Sequence, residues 1–284
     1  MKTWKMAGLA VLGSALALGG AFAQGKKWET VKIATEGAYA PWNFSGPGGK
    51  LDGFEVELAN DLCARMKVKC EIVAQDWDGI IPALNAGKYD AIMAGMSITD
   101  ERRKVIDFTR AYANAPNGLL AEKSSDLAKM PGTGSRFNLD KDMAGAQKAI
   151  DAVKAALKGK TIGVQGSTTH ATFAEKFYKG AAEIREYKTT EQHDLDLAAG
   201  RIDAIFAGYS ALASTQEKPE FKDMQIVGAG MSGDVLGAGV AVGMRKADAD
   251  LKGMFDKAIN EAIADGSLAK LTAKWFKTKM SPQS

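Results

Sequence analysis

Groups that hold metals or attack substrates are scarce in this chain, whose 284 residues include two cysteines and two histidines. Cys63 and Cys70 have no histidine near them, and two thiols alone leave a zinc ligand set incomplete. His170 and His193 likewise lack companion donors, so neither marks a metal site. No Ser-His-Asp arrangement is evident, and nothing calls for a cofactor. Charge of one sign is also missing. The 37 basic and 34 acidic residues leave +3, without the basic footprint that nucleic acid requires. There is no internal repeat, and only one long apolar run.

That run is AGLAVLGSALALGGAFA, preceded by Lys2 and Lys5 and ending in Ala21-Phe22-Ala23. It is too short and too weakly flanked for a membrane span, and it has the small-residue ending that a signal peptidase requires. Residues 1–23 are therefore expected to be a signal peptide cleaved after Ala23. Removal takes two lysines and no acid, leaving 261 residues at +1. No cysteine follows the cleavage site closely, so no lipid anchor is expected, and the product is an exported, soluble, periplasmic protein. In that compartment a disulfide persists, and Cys63 and Cys70 are expected to form one, pinning a helix end to the next strand.

Hydrophobic periodicity divides the remainder into two α/β blocks. In the first, TVKIAT (30–35), CEIVA (70–74) and YDAIMA (89–94) read as strands, FEVELANDLCARM (54–66) as an amphipathic helix, and WDGIIPALNAG (77–87) as a short helix. The stretch 41–53 between them is dense in glycine and proline and reads as a turn or hairpin. The second block has strands at 117–122, 161–164 and 201–208, with helices over 142–157, after residue 169, and over 191–199. The tail has a strand-like VAVGMRK (240–246) and helices over 249–265 and 268–276. It lacks strands for a third sheet and is expected to return onto the first block.

The stretch GMSITDERR (95–103) carries a local conflict. Thr99 reads as an N-cap, and Asp100 and Glu101 suit the positive end of a helix dipole. Arg102 and Arg103 oppose it, at roughly 0.3 to 1 kcal/mol each when exposed. A guanidinium there offers a planar fork to a carboxylate, and helix-start N–H groups add to the same anion.

TEGAYAPWNF, GFEVELANDLC, WDGIIPALNAGKYDAIMAGMSIT with the Arg102 that follows, VQGSTT (164–169) and LAAGRIDA (197–204) together resemble the periplasmic solute-binding proteins that serve ABC importers of amino acids. The likeness spans essentially the whole chain after residue 23. It is greatest to the binders of lysine, arginine and ornithine and to the opine binders for octopine and nopaline. The resemblance implies a two-lobed, type II periplasmic-binding fold. Each lobe would be a mostly parallel sheet with flanking helices, lobe 1 from 24–115 with 237–284 and lobe 2 from 116–236. Two hinge strands would join them around a ligand cleft. It further implies a monomer that hands a small-molecule ligand to an importer's membrane subunits, binding no nucleic acid and catalysing nothing.

Residue by residue, Arg102 matches the arginine that grips the ligand α-carboxylate, and Ser97 the serine that assists it. Gly166, Ser167, Thr168 and Thr169 match the second lobe's turn on the other side of that carboxylate, although plain N-capping explains them as well. Glu36 matches an acid that faces a cationic side chain, and Tyr39 and Trp77 match aromatics that sandwich it. Trp42 fits a cleft wall or a core filler equally. Ala94, Gly95, Met96 and Gln165 complete the candidates within these segments, Ala94 and Gly95 standing where plain cationic amino acid binders tend to carry serines. His170 could reach a second carboxylate, whereas His193 is expected to be exposed on a helix. Asp76 and Asp78 read as N-capping charges beside Trp77.

One departure bears on the ligand. The family's aspartate for the free α-ammonium is absent, since the chain has Ala207-Gly208-Tyr209 there. A buried ammonium without a counterion is costly. An opine has a secondary amine bearing a second acid arm, and Gly208 would leave room for it. An arginine-derived opine therefore ranks above plain arginine or lysine. Two alternatives remain: a cyclohexadienyl-dehydratase-like enzyme on the same fold, with Glu36 as its acid or base, and a sensor that presents ligand to a membrane receptor.

Overall fold

The computed structural model describes Met1, residues 27–277 and Met280. The expected signal peptide and its cleavage site lie outside the described residues, apart from Met1. Strand β1 (Thr30–Thr35) buries Val31 and Ile33 on one face and Ala34 on the other, the period-2 pattern of a covered strand. The chain then forms a small antiparallel sheet from β2 (Ala38–Tyr39), β3 (Asn43–Ser45) and β4 (Leu51–Asp52), which realises the expected hairpin.

Helix α1 (Phe54–Met66) follows, burying Phe54, Leu58 and Leu62 at a spacing of four. It stops at Lys67, which adopts a left-handed conformation and donates its N–H to the last turn. Strand β5 (Lys69–Ala74) runs back parallel to β1, and the Cys63–Cys70 disulfide joins the end of α1 to its second residue with a Cα separation of 6.1 Å. Next come α2 (Ile80–Asn85), β6 (Ala91–Ile92), α3 (Asp100–Val105) and β7 (Asp107–Phe108). Thr99 caps α3 by accepting from the Arg102 N–H.

The chain crosses to a second sheet through β8 (Asn117–Glu122). It continues with β9 (Arg136–Asn138), α4 (Met143–Ala156), β10 (Thr161–Gln165), α5 (Thr169–Phe177), β11 (Glu183–Tyr187), α6 (Thr190–Ala198), β12 (Ala204–Gly208), α7 (Tyr209–Gln216) and β13 (Met224–Ser232). It then returns as β14 (Gly243–Met244), α8 (Ala249–Ala264) and α9 (Ser267–Phe276). The strand orders are β5-β1-β6-β14-β7 and β11-β10-β12-β8-β13-β9. Ladders are parallel where strand–helix–strand units build the sheet and antiparallel at β8 and β14, where the chain enters from the other lobe. The two crossings meet at an antiparallel bridge between Ala113 and Val240.

Each sheet is covered on both faces. In lobe 1, α1, α8 and α9 close one core around Phe54 and Phe255, and α2 closes the other around Ile80 and Leu84. The C-terminal helices thus return onto the first block, as expected. In lobe 2, α4 and α5 cover one face and α6 with α7 the other. Among the described residues, no helix is long and apolar enough to cross a membrane.

Three readings need correction. His193 is 1% exposed, not a surface residue, because the buried face of the polar helix α6 comprises His193, Asp194 and Leu197. Asp76 makes no capping hydrogen bond and instead pairs with Lys188 of the other lobe at 2.7 Å. The strand expected over 240–246 contracts to Gly243–Met244, since Val240 and Ala241 bond to the crossing at Ala113 and to Met96.

Candidate functional site

The segments that leave the C-terminal ends of β1, β6, β10 and β12 converge between the lobes, the place where open α/β sheets leave a crevice. From lobe 1 come Glu36 and Tyr39 after β1, Trp77 from a single 3-10 turn, Ala94 to Ser97 after β6, and Arg102 from α3. Lobe 2 brings Gln165 to Thr169 after β10, His170 on α5, Asn117 at the start of β8, and Gly208 at the end of β12.

Two connected chambers result. The first is bounded by Glu36, Tyr39 and Trp77 at one end and by Ser97, Arg102, Thr168 and Thr169 at the other. Ala94, Gly95, Gln165 and His170 complete its walls. The second shares Tyr39, Gly95, Ser97 and His170 and continues past Asn117, Gly208, Ser210 and Ser232 toward the crossings. Tyr39 partitions them. A Cβ on Gly95 would lie 2.9 Å from its ring, and one on Gly208 2.8 Å from its hydroxyl, so both glycines are required by its seat. The room expected at Gly208 is therefore taken up by Tyr39, and free space lies beyond it in the second chamber.

Arg102 is a half-buried cation, and its surroundings hold no carboxylate to match it among the described residues. Its Nη1 donates to the Ser97 carbonyl at 2.9 Å, and its guanidinium stacks 5.1 Å from the Trp77 ring centre. Burial lowers its pKa to about 10, which still leaves it charged at neutral pH. Opposite stands the start of α5, where the Thr168 hydroxyl accepts from the Ala171 N–H, and the first-turn amides have no helical partners. A guanidinium without a carboxylate partner, facing a helix start, has the chemistry to hold an anion.

The far end has the opposite character. Burial, with Asp76, Asp78 and Glu55 adding repulsion, raises the pKa of Glu36 to about 7, against a lowering by its hydrogen bond from Gln165. Gln165 Nε2 spans the lobes to reach Glu36 Oε1 at 2.5 Å and also donates to the Lys188 carbonyl. Trp77 donates to the Ser167 carbonyl at 3.1 Å, again across the lobes. At the back, His170 Nε2 lies 2.8 Å from Asn117 Oδ1, while Asn117 Nδ2 donates to the Met231 carbonyl. That second bond fixes the amide, so His170 donates from Nε2. Burial drops its pKa to about 3, keeping it neutral.

Not every candidate faces the chambers. Met96 is fully buried and turns into the lobe 1 core. Ser167 adopts a left-handed conformation and lies on an outer groove with Thr99 and Asp234, and Gly166 lets the backbone pass close to Glu186. Trp42 serves in both its readings: its ring packs on Phe54 and Phe276, and its edge lines the second chamber, with Nε1 donating to Ser210 of the other lobe at 2.8 Å. Asn114, Asn117, Ser210 and Ser232 are missing from the sequence-derived set. They come from three segments far apart in sequence, and only the Asn-Ala-Pro-Asn punctuation at 114–117 gives a local signal, for the two asparagines. Among the described residues no group of histidine, cysteine, aspartate and glutamate could hold a metal ion.

Comparison with known proteins bears on the family and the fold. The profile of the family described as bacterial extracellular solute-binding proteins, family 3, matches residues 31–278. The octopine-binding periplasmic protein of Rhizobium meliloti is 50% identical over 272 residues, covering 89% of this chain and 92% of that protein. The lysine/arginine/ornithine-binding periplasmic protein of Escherichia coli (strain K12) is 36% identical over 251 residues, covering 87% and 88%. Among solved structures, a periplasmic His/Glu/Gln/Arg/opine family-binding protein from Silicibacter pomeroyi in complex with lysine superposes with a TM-score of 0.71 at 34% identity, covering 89% of this chain and all of that one.

Proposed function

The chain belongs to the bacterial extracellular solute-binding proteins, family 3, and from that premise we propose that it binds, in the periplasm, a small acid with a cationic tail and delivers it to an ABC importer. The carrying observation is the pair of opposed ends in one chamber: a half-buried Arg102 without a carboxylate partner among the described residues, beside helix-start amides, and the Glu36 carboxylate beside Trp77 and Tyr39. A ligand α-carboxylate accepts from Arg102, Ser97 and the 168–169 turn. A guanidinium or ammonium replaces Gln165 as the partner of Glu36 and stacks on the rings, where a desolvated cation gains roughly 2 kcal/mol or more.

Within this class an arginine-derived opine ranks above arginine or lysine. No carboxylate stands at 207–209 for a primary α-ammonium, and the second chamber offers neutral donors from Asn117 and Ser210 to an additional acid arm. The octopine-binding relative at 50% identity supports the same ranking. Binding rather than catalysis is the reading, since the curated relatives named above are binding proteins. Residues 1–23 act as the export signal, and the lobes, 24–115 with 237–284 and 116–236, close about the Ala113–Val240 crossings as a monomer.

Calorimetry with octopine, nopaline, L-arginine, L-lysine, L-histidine and L-glutamine tests the proposal. Tight binding confined to the opines and cationic amino acids is expected. Binding of L-glutamine as tight as that of the cations, or of none of the panel, would overturn it, and binding of the primary amino acids alone would reverse the ranking.

A further inference from the structure

Glu55 is the second residue of α1, 1% exposed, and no basic side chain pairs with it among the described residues. It lies behind the ligand chambers and lines neither. Its carboxyl is nonetheless held by three donors. The Gly95 N–H reaches both oxygens, at 2.7 and 2.9 Å, Asn43 Nδ2 reaches Oε2 at 2.7 Å, and the Tyr112 hydroxyl bonds to Oε1. Burial pushes its pKa up, and these three bonds oppose the rise. A carboxyl here is a costly way to fill a core, because an apolar side chain of like volume needs no donors at all.

The donors come from the segments that build the cleft. Gly95 has a φ of +61°, and its backbone is the surface on which the Tyr39 ring rests. Asn43 passes the connection onward, its Oδ1 accepting the Gly37 N–H at 2.8 Å, and Gly37, with a φ of +77°, is the turn between Glu36 and Tyr39. Tyr112 lies in the crossing between the lobes and donates its backbone N–H to Val240 of the returning crossing. One buried carboxyl thus ties the cation-facing arm, the Gly95 turn and the interlobe crossing together.

We propose that Glu55 is a positioning residue for the ligand cleft, setting the distance between the Glu36–Tyr39 arm and the Gly95–Ser97 turn, so that ligand affinity depends on it beyond its part in the fold. This rests on the reading of the cleft as the ligand site. Glu55→Gln keeps the shape but turns an N–H group toward one of the three donors. Two measurements on the full chain follow: amide exchange at Gly37 and Gly95 in the ligand-free protein, and the Kd for octopine and L-arginine by calorimetry. Exchange at both glycines is expected to accelerate at least tenfold while Val31 and Ile33 in β1 stay protected, and the Kd to rise at least tenfold with stoichiometry unchanged. Tyr112→Phe removes one donor and leaves the ring, so it serves if the Gln variant does not fold, with about a threefold effect on each readout. Unchanged exchange at Gly37 and Gly95, or accelerated exchange with a Kd within twofold of the parent, overturns the proposal. If the parent binds neither probe, the ligand reading fails, and the exchange measurement alone decides the role of Glu55.

Discussion

If Glu36 receives a ligand's cationic tail as proposed, binding should release a proton near neutral pH. Burial first of all holds its pKa at about 7, raised from 4.5. A cationic ligand needs the ionised form, so below pH 7 each unit of acid costs about 1.4 kcal/mol of binding, a tenfold loss. From pH 7 to pH 5 the Kd should rise ~50-fold, because Glu36 is already half protonated at pH 7, and binding near pH 6 should release roughly nine-tenths of a proton. The other charged groups of the chamber stay out of this window, because His170 is held near 3 and Arg102 near 10. Ligand-free stability moves the other way. A carboxyl whose folded pKa is raised contributes stability fully present below 4.5 and lost as pH rises through about 7, amounting to at most about 3 kcal/mol. Calorimetry of arginine or octopine binding in two buffers of different ionisation enthalpy, from pH 5 to 8, reads the proton count directly. Glu36→Gln should bind more weakly, with a flat profile and no buffer dependence. A parent protein with pH-independent affinity, or a Gln variant with the parent's slope, would refute the reasoning.

Arg102→Ala should lose ~2 to 5 kcal/mol of ligand affinity, since it leaves a buried carboxylate unpaired; unchanged binding in calorimetry would remove Arg102 from the site. Replacing Cys63 and Cys70 by serine opens a loop of sequence separation 7 and should cost about 2.5 kcal/mol of unfolding free energy in urea melts. Ligand affinity should not change, because the bridge lies at the far end of α1 from the cleft; a large change in Kd would contradict this. Gly208→Asp paired with Tyr39→Phe, which clears the hydroxyl 2.8 Å from the new Cβ, should move the arginine-over-octopine affinity ratio up at least tenfold, and a ratio that stays put would detach position 208 from selectivity.

What could be read from the sequence was whatever leaves a local trace. Val31 with Ile33, and Phe54 with Leu58 and Leu62, repeat at the strand and helix periods because each faces one core. Arg102 stood out because a cation in the first turn of α3 conflicts with the helix dipole, and the structure leaves that cation without a carboxylate. The features that escaped depend on tertiary packing. His193 lies on a helix of polar composition, and a local pattern makes it solvent-facing; its burial comes from packing against Tyr187 and over Gly163 of its own sheet. Asp76 looks like a cap until Lys188, more than a hundred residues later, takes its charge. The second chamber has no sequence signature, because Asn117, Ser210 and Ser232 become neighbours only when both crossings are in place.

The contacts between the lobes also bear on how affinity is set. Two of them lie outside both chambers: Thr190 to the Ala38 carbonyl, and Asp76 to Lys188. These favour the closed arrangement whatever occupies the cleft, so they shift the closing equilibrium without discriminating between ligands. Selectivity must come from differential contacts. Gln165 links the two, because its amide donates across the lobes to Glu36. On the proposed reading, a neutral tail would leave that bond intact and gain nothing from Glu36, whereas a guanidinium would have to displace or share it before the carboxylate met a full positive charge. Gln165 would then compete with the ligand's cation for Glu36, and a cationic ligand must outcompete an uncharged amide.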